Sequence, residues 1–210
     1  MILFVDVISD VICPWCYVGK RRLEKAIDSV KGQYEVRVRW HPFQLNPTMS
    51  REGISRREYR IAKFGSWERS QELDARSIAV GLDEGIPFAF DRIERTPNTL
   101  DAHRLIWLAD QHDCQDAVVE GLFRAYFIDG RDISNRRVLA DVVVELGMDR
   151  QLIEGTLNSD EGTDALRTAE ELSRRHGVGG VPFFVFNEEV ALSGAQAPEN
   201  FVEAFKQASK

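Results

Sequence analysis

"ISDVICPWCYVGKRR", residues 8–22, places Cys13 and Cys16 on either side of a Pro-Trp pair. The chain has 210 residues and only 3 cysteines, so the spacing of these two asks for a chemical reason. A metal clip, a structural disulfide and a redox switch are the candidates. The flanking sequence shows what carries the pair. "ILFVDVI" (2–8) is a short β-rich apolar run suited to a buried strand. After Cys13, Val18, Leu23, Ala26, Ile27 and Val30 fall on one helical stripe, and Lys20, Arg21, Arg22, Glu24, Lys25 and Asp28 fill the other face. "KG" at 31–32 predicts the end of that helix, with Gly32 just past it. "YEVRVRW" (34–40) then alternates, with Tyr34, Val36, Val38 and Trp40 on one side. The opening therefore reads strand–helix–strand, and a crossover helix of this length suits a parallel pair.

Cys13 follows the strand and opens the helix. Unpaired backbone N–H groups and the positive end of the helix dipole there favour a thiolate. Pro14 fits the first turn without forfeiting a needed hydrogen bond. Cys16, three positions on, puts both sulfurs on the same side of that turn, within reach of a disulfide. Cys13 is then the attacking thiol, and Cys16 resolves the mixed disulfide. The Pro-Trp pair brings no cation, so Cys13 is expected to be less acidic than in a motif with His between its cysteines. A zinc clip needs four ligands, yet only Cys114 and four histidines remain, none in ligand spacing. Haem attachment would need His after Cys16, where Tyr17 stands. No metal is expected, and Cys114 reads as a helix or helix-end residue without a redox role.

The totals narrow the function. Apolar residues make up 43% and charged residues 29%, as in ordinary globular chains, and the length suits one large domain or a small one with an insertion. A formal charge of -7 repels phosphate backbones, so no nucleic-acid partner is expected. No apolar run reaches the length of a membrane span, so no membrane partner is expected either. "MILFVDVISD" lacks a basic n-region and is interrupted by Asp6 and Asp10, so it reads as a strand and not a targeting segment. The expected compartment is the cytoplasm, where thiols are kept reduced and a static disulfide is disfavoured.

Residues 54–160 read as almost entirely helical, with Ser66, Thr99, Ser134 and Asp149 as N-caps and 85–99 as the one non-helical stretch. "EGTDALRTAEELSRRHG" (161–177) is an amphipathic helix stopped by Gly177. A Gly-rich loop follows, then a strand at 183–187, a tight turn near Asn187–Glu189 and a strand at 190–193. "APENFVEAFKQA" closes as a helix with Pro198 in its first turn. The two flanks together predict an α/β unit, one four-stranded sheet with helices on both faces.

Strand–CPWC–helix, followed far downstream by Val-Pro entering a hairpin in "GVGGVPFFVF" (177–186), resembles the thioredoxin-fold oxidoreductases. With "DVISDVICPWCYVGKRRLE", "VRWHPFQLNP" and "PNTLDAHRL" the chain is similar to the DsbA family, in its FrnE-type, largely bacterial branch. The resemblance implies a thioredoxin-like fold with a long all-helical insertion. The discontinuous thioredoxin-like domain is expected at 1–53 and 160–210, and the insertion at 54–159. It implies Cys13 and Cys16 as the redox pair and Pro182 as the cis-proline beside them, with the Val181 backbone pairing to substrate. Pro14, Trp15, Phe43 and Asn98 are expected at the substrate, with Trp67 and Phe88 near it. The plainer reading puts these aromatics in the core and makes Asn98 or Thr99 an N-cap. Asp6, a carboxylate in an apolar strand, is the candidate proton acceptor.

The implied activity is thiol–disulfide exchange with protein or low-molecular-weight thiols. No cofactor is expected to be bound, and glutathione or a dithiol would serve as redox co-substrate. Oligomeric state is open between monomer and homodimer. Two alternatives are a glutathione-dependent isomerase or transferase, like the 2-hydroxychromene-2-carboxylate isomerases and kappa-class transferases, and a non-catalytic redox-sensing or chaperone module. The isomerase relatives carry serine at the position of Cys13, and CPWC argues against them.

Overall fold

The computed structural model describes all residues, Met1–Lys210, as two compact units. The first comprises Met1–Leu45 and Arg167–Lys210. Its sheet has strand β1 (Ile2–Ser9) at the centre, parallel to β2 (Glu35–Pro42) and antiparallel to β5 (Phe183–Phe186), which pairs with β6 (Val190–Ser193). The order is β2-β1-β5-β6. Helix α1 (Pro14–Ser29) makes the crossover from β1 to β2. The Asn187–Glu188 turn has positive φ at both residues, 47° and 62°, which matches the twist of a tight hairpin.

Strand alternation sorts the residues between the two faces of this sheet. Val5 pairs with Phe186 and Val7 with Phe184, so Leu3, Val5, Val7, Phe184 and Phe186 share one buried face. Helix α9 (Pro198–Ala208) covers it with Phe201, whose ring centroid lies 4.8 Å from that of Phe184, and Phe205, 5.6 Å from Phe186. Each fully buried phenylalanine contributes roughly 1.5–3 kcal/mol. Ile8 and Phe183 point to the opposite face, where Phe43, Leu45, Val178, Val181 and Val185 complete a second core.

The second unit, Asn46–Leu166, is mainly helical. Its elements are β3 (Ile54–Ser55), α2 (Arg56–Phe64), α3 (Trp67–Asp83), β4 (Arg95–Thr96), α4 (Leu100–Asp110), α5 (Gln115–Phe127), α6 (Arg136–Glu145) and α7 (Arg150–Leu157). Helix α8 (Thr163–Arg175) begins in this unit and ends in the first. Phe88, Phe90, Phe123 and Phe127 form its aromatic core, with Phe88 and Phe90 stacked at 5.1 Å.

Four expectations need correction. The unit boundaries fall at 45/46 and 166/167 instead of 53/54 and 159/160. Residues 46–53 are tied into the helical unit: Tyr59 Oη donates to Asn46 Oδ1, Asn98 Nδ2 to the Met49 carbonyl, and Arg95 to the Glu52 carbonyl. Residues 160–166 are tied in likewise, because Arg104 Nε donates to the Glu161 carbonyl and Gly162 abuts the Trp107 ring. The helical stretch also contains a two-residue ladder, β3 against β4, too short for alternation to reveal. Finally, α6 is capped by Asn135, whose Oδ1 accepts from the Arg137 and Val138 amides. The expected cap, Ser134, spends its hydroxyl on Asp132 at 2.6 Å. Ser66 and Asp149 cap α3 and α7 as the sequence predicts.

Candidate active site

The site grows from the end of β1. After Ser9 the chain turns through Asp10–Ile12, and the Cys13 amide donates to the Asp10 carbonyl at 3.0 Å. Cys13 is the N-cap of α1, extended at φ -93° and ψ 111°, and Pro14 takes the first helical position. Cys13 is 7% exposed and Cys16 1%. Cys13 is the more exposed of the two.

The two thiols are driven apart in acidity. Cys13 lies below the usual thiol value, first because the Cys16 thiol donates to its sulfur, an effect that outweighs burial; the Cys16 and Trp15 amides add to it. Cys16 is pushed well above the usual value by burial, and its donation to Cys13 holds its proton further. The Asp10 carboxylate disfavours the thiolate at both sulfurs. Cys13 Sγ also donates to the Val181 carbonyl at 3.6 Å, and the Val181–Pro182 peptide bond is cis. The structure thus brings Cys13, Cys16, Val181 and Pro182 together. Trp15 stands 41% exposed beside them, and Pro14 is half-buried.

Other candidates are placed elsewhere. Asp6 is on the sheet face opposite Val5 and Val7, bonded at 2.7 Å to both Arg39 Nη2 and His41 Nε2. Burial pushes its pKa up, but these two partners outweigh that and hold it below the usual carboxylate range. Its charge is committed to its neighbours on β2, and the acidic residue whose charge reaches the thiols is Asp10, fully buried, with Oδ2 accepting from the Leu45 amide at 2.7 Å. Its position just ahead of the helix start was the one signal for it. Phe43 is a core residue, 3% exposed among Ile8, Val178 and Val181, not a free wall for substrate. Asn98 spends its side chain locally, accepting from the Leu100 amide at 2.9 Å and donating to Met49. Phe88 is core, and Trp67 lies under the Arg56 and Arg57 guanidinium groups. Cys114 is the N-cap of α5, its thiol donating to the Ala109 carbonyl.

Gly19, on α1, is what lets Pro182 approach the helix. A Cβ there would stand 3.1 Å from Pro182 Cγ and 3.0 Å from Phe184 Cζ. Phe184 is fully buried against Phe201 and the proline ring is stiff, so neither yields easily. Gly19→Ala is expected to lose about 1–3 kcal/mol in urea unfolding by overpacking. An unchanged or raised midpoint would show that the Pro182 loop has slack.

Comparison with known proteins agrees with this geometry. The family model for the DSBA-like thioredoxin domain matches residues 4–206. A probable DsbA oxidoreductase from Streptomyces coelicolor is 31% identical, covers 99% of this chain and 90% of its own, and superposes with a TM-score of 0.91. The uncharacterised protein YwbO of Bacillus subtilis is 26% identical over 211 residues, covering 100% of this chain and 99% of its own. The cytosolic disulfide reductase DsbM from Pseudomonas aeruginosa, solved with GSH, shares the fold at 23% identity and TM-score 0.68, covering 97% of this chain and 98% of its own. An N-cap cysteine, a buried partner thiol and a cis X-Pro loop on an α/β sheet, with a helical unit inserted, are thus found in a chain that belongs to the DsbA-like thioredoxin family.

Proposed function

We propose that the protein is a thiol–disulfide oxidoreductase acting on protein or low-molecular-weight disulfides through Cys13 and Cys16. The observation that carries this reading is the opposite displacement of the two thiols: Cys13 below the usual value at the helix start, Cys16 well above it one turn inside. In the reducing direction the Cys13 thiolate attacks one sulfur of a substrate disulfide. A Cys13–substrate disulfide forms and the other substrate sulfur leaves as a thiolate. Cys16 then loses its proton and attacks Cys13 Sγ, forming Cys13–Cys16 and expelling the second substrate thiolate. The oxidising direction is the reverse. Asp10 is the proton acceptor proposed for Cys16, in place of Asp6.

No bound cofactor enters these steps, since the electrons reside in the two sulfurs. Glutathione or a dithiol recycles the pair. The structural likeness to DsbM, a cytosolic disulfide reductase solved with GSH, supports that co-substrate and a cytoplasmic setting. Exposed Trp15 and the Val181 backbone supply the docking groups for an extended substrate.

Insulin reduction with glutathione or dithiothreitol tests the reading. The wild type is expected to turn over, and Cys16→Ser to stall as a mixed disulfide on Cys13 that non-reducing electrophoresis separates and mass spectrometry identifies. Absence of thiol-dependent turnover together with absence of trapped species would reject it.

A further inference from the structure

The segment Phe43–Leu45, between β2 and the unit boundary, is fastened to α8 by the backbone amide, the carbonyl and the side-chain Nε2 of Gln44. Glu170 Oε1 accepts from the Gln44 amide and Oε2 from Gln44 Nε2, both at 3.1 Å. Arg174 Nη2 donates to the Gln44 carbonyl at 3.2 Å and to Glu170 Oε1 at 2.7 Å. The Arg174 guanidinium also lies 4.2 Å from the Phe43 ring centroid. Glu170 is only 8% exposed, so a carboxylate has been buried where an apolar helix residue would have served. The next residue, Leu45, donates its amide to Asp10 Oδ2, the Asp10 carbonyl accepts from the Cys13 amide at 3.0 Å, and the Asp10 charge is felt at both thiols. Phe43 and Leu45 also pack with Val178 and Val181, the residue whose carbonyl accepts from Cys13.

We infer that Glu170, with Gln44 and Arg174, is a positioning residue for the thiol pair: it fixes the 43–45 turn so that the Leu45 amide holds the Asp10 carboxylate beside Cys13 and Cys16. None of the three touches a sulfur. They act through one backbone amide, and the consequence is electrostatic. The charge of an anchored Asp10 carboxylate opposes the Cys13 thiolate. Releasing the turn removes the Leu45 anchor, and a carboxylate held less firmly beside the sulfurs opposes the thiolate less. The clamp therefore biases the pair toward the disulfide, the reducing side of exchange. The inference rests on the proposed redox role only for its consequence in turnover; the thiol titration can be read without it.

The test is the pH profile of Cys13 alkylation by iodoacetamide in the reduced full-length chain, with the equilibrium against glutathione as second readout. Glu170→Leu is expected to lower the Cys13 midpoint by about half a pH unit, giving about threefold faster alkylation below the midpoint. The glutathione equilibrium should move by a similar factor, about 14 mV toward a stronger oxidant. Glu170→Gln, which keeps an acceptor for the Gln44 amide, should restore most of the wild-type profile. Arg174→Met, at a position half open to solvent, supplies a variant that folds if Glu170→Leu does not, and should shift the profile the same way by less. In an Asp10→Asn background, Glu170→Leu should add no further shift. Lower thermal stability with an unmoved Cys13 profile, or equal shifts with and without Asp10, would overturn the inference. If the clamp variants titrate as wild type while insulin is still reduced, the clamp fails and the oxidoreductase reading stands. If the profile shifts as expected but wild type reduces nothing, the clamp stands and that reading fails.

Discussion

Cys13→Ala is expected to abolish thiol–disulfide exchange, at least a thousandfold loss, while Cys16→Ala leaves a slower nucleophile. The asymmetry follows from the direction of the shared hydrogen bond. In the reduced pair the Cys16 thiol donates to the Cys13 sulfur, and this is the largest influence lowering Cys13. A hydrogen bond to a charged group contributes about 1.5–3 kcal/mol. Losing it raises Cys13 toward the ordinary thiol value, and its alkylation near neutrality should slow about tenfold. Cys16 cannot take over in Cys13→Ala, because it is buried at 1% exposure and carries a raised value. Stopped-flow alkylation across pH should give one fast class in wild type, a slower one in Cys16→Ala and nearly none below pH ~8.5 in Cys13→Ala. Equal neutral-pH rates in the two variants would sink the assignment of roles.

Linkage fixes the sign for stability of the reduced chain. Cys13 has its folded value depressed, so its stabilisation is fully present above the unfolded value of about 8.5 and is lost as pH falls through the folded value. Cys16 has its folded value raised, so its favourable contribution is present below about 8.5 and is lost as pH rises toward the folded value. The two oppose each other in alkali, and replacing Cys16 alone should make the reduced chain less sensitive to high pH.

The thiol site was legible in sequence where the information is local. A strand, an N-cap cysteine, Pro14 in the first turn and a helical stripe all lie within one contiguous stretch, and the structure keeps them in place. The hairpin at 183–193 was legible too, through aromatic alternation and the Asn187 turn. What failed was pairing at long range. Asp6 looked costly because an apolar strand surrounds it, but its partners Arg39 and His41 come from β2 in a register no single strand announces. Its alternation with Val5 and Val7 did hold a warning, since it points away from their face. Asp10 gained importance from Leu45, and Gln44 from Glu170, contacts spanning 35 and 126 residues. Ser134 and Asn135 are both good caps side by side, and the Asp132 carboxylate and the distant Glu52 carbonyl, which engage the Ser134 hydroxyl, decide between them. The domain edges were misjudged for the same reason, because loops beyond the last helix residue are fastened by distant side chains.

One such side chain leads to the largest expected loss of stability. Arg104 lies within "PNTLDAHRL", in α4, where periodicity marks it as an ordinary helical position; the structure buries it to 2% exposure. Its guanidinium is shared among the Thr156 carbonyl, the Ser159 carbonyl at 2.6 Å, the Glu161 carbonyl at 2.8 Å and Asp101 Oδ1 at 2.8 Å. Those carbonyls lie at and beyond the C-terminal end of α7, where a helix leaves acceptors without intrahelical partners. One planar fork thus closes the end of α7, pins the 159–161 loop and ties both to α4. Arg104→Leu removes all of this at once and strands buried carbonyls, while Asp101 keeps Arg136 at 2.7 Å. The expected cost is about 3–5 kcal/mol, a large share of the roughly 5–15 kcal/mol that holds a folded chain together. Arg104→Lys keeps the charge and one or two donors but not the fork, and should lose about half as much. Urea unfolding followed by helix circular dichroism reads both, and a cost below about 1 kcal/mol for Arg104→Leu would mean that the 159–161 loop rearranges to satisfy its own carbonyls. The thiol titration of Cys13 should be unmoved in whatever Arg104→Lys remains folded, because no hydrogen bond of Arg104 reaches beyond the helical unit.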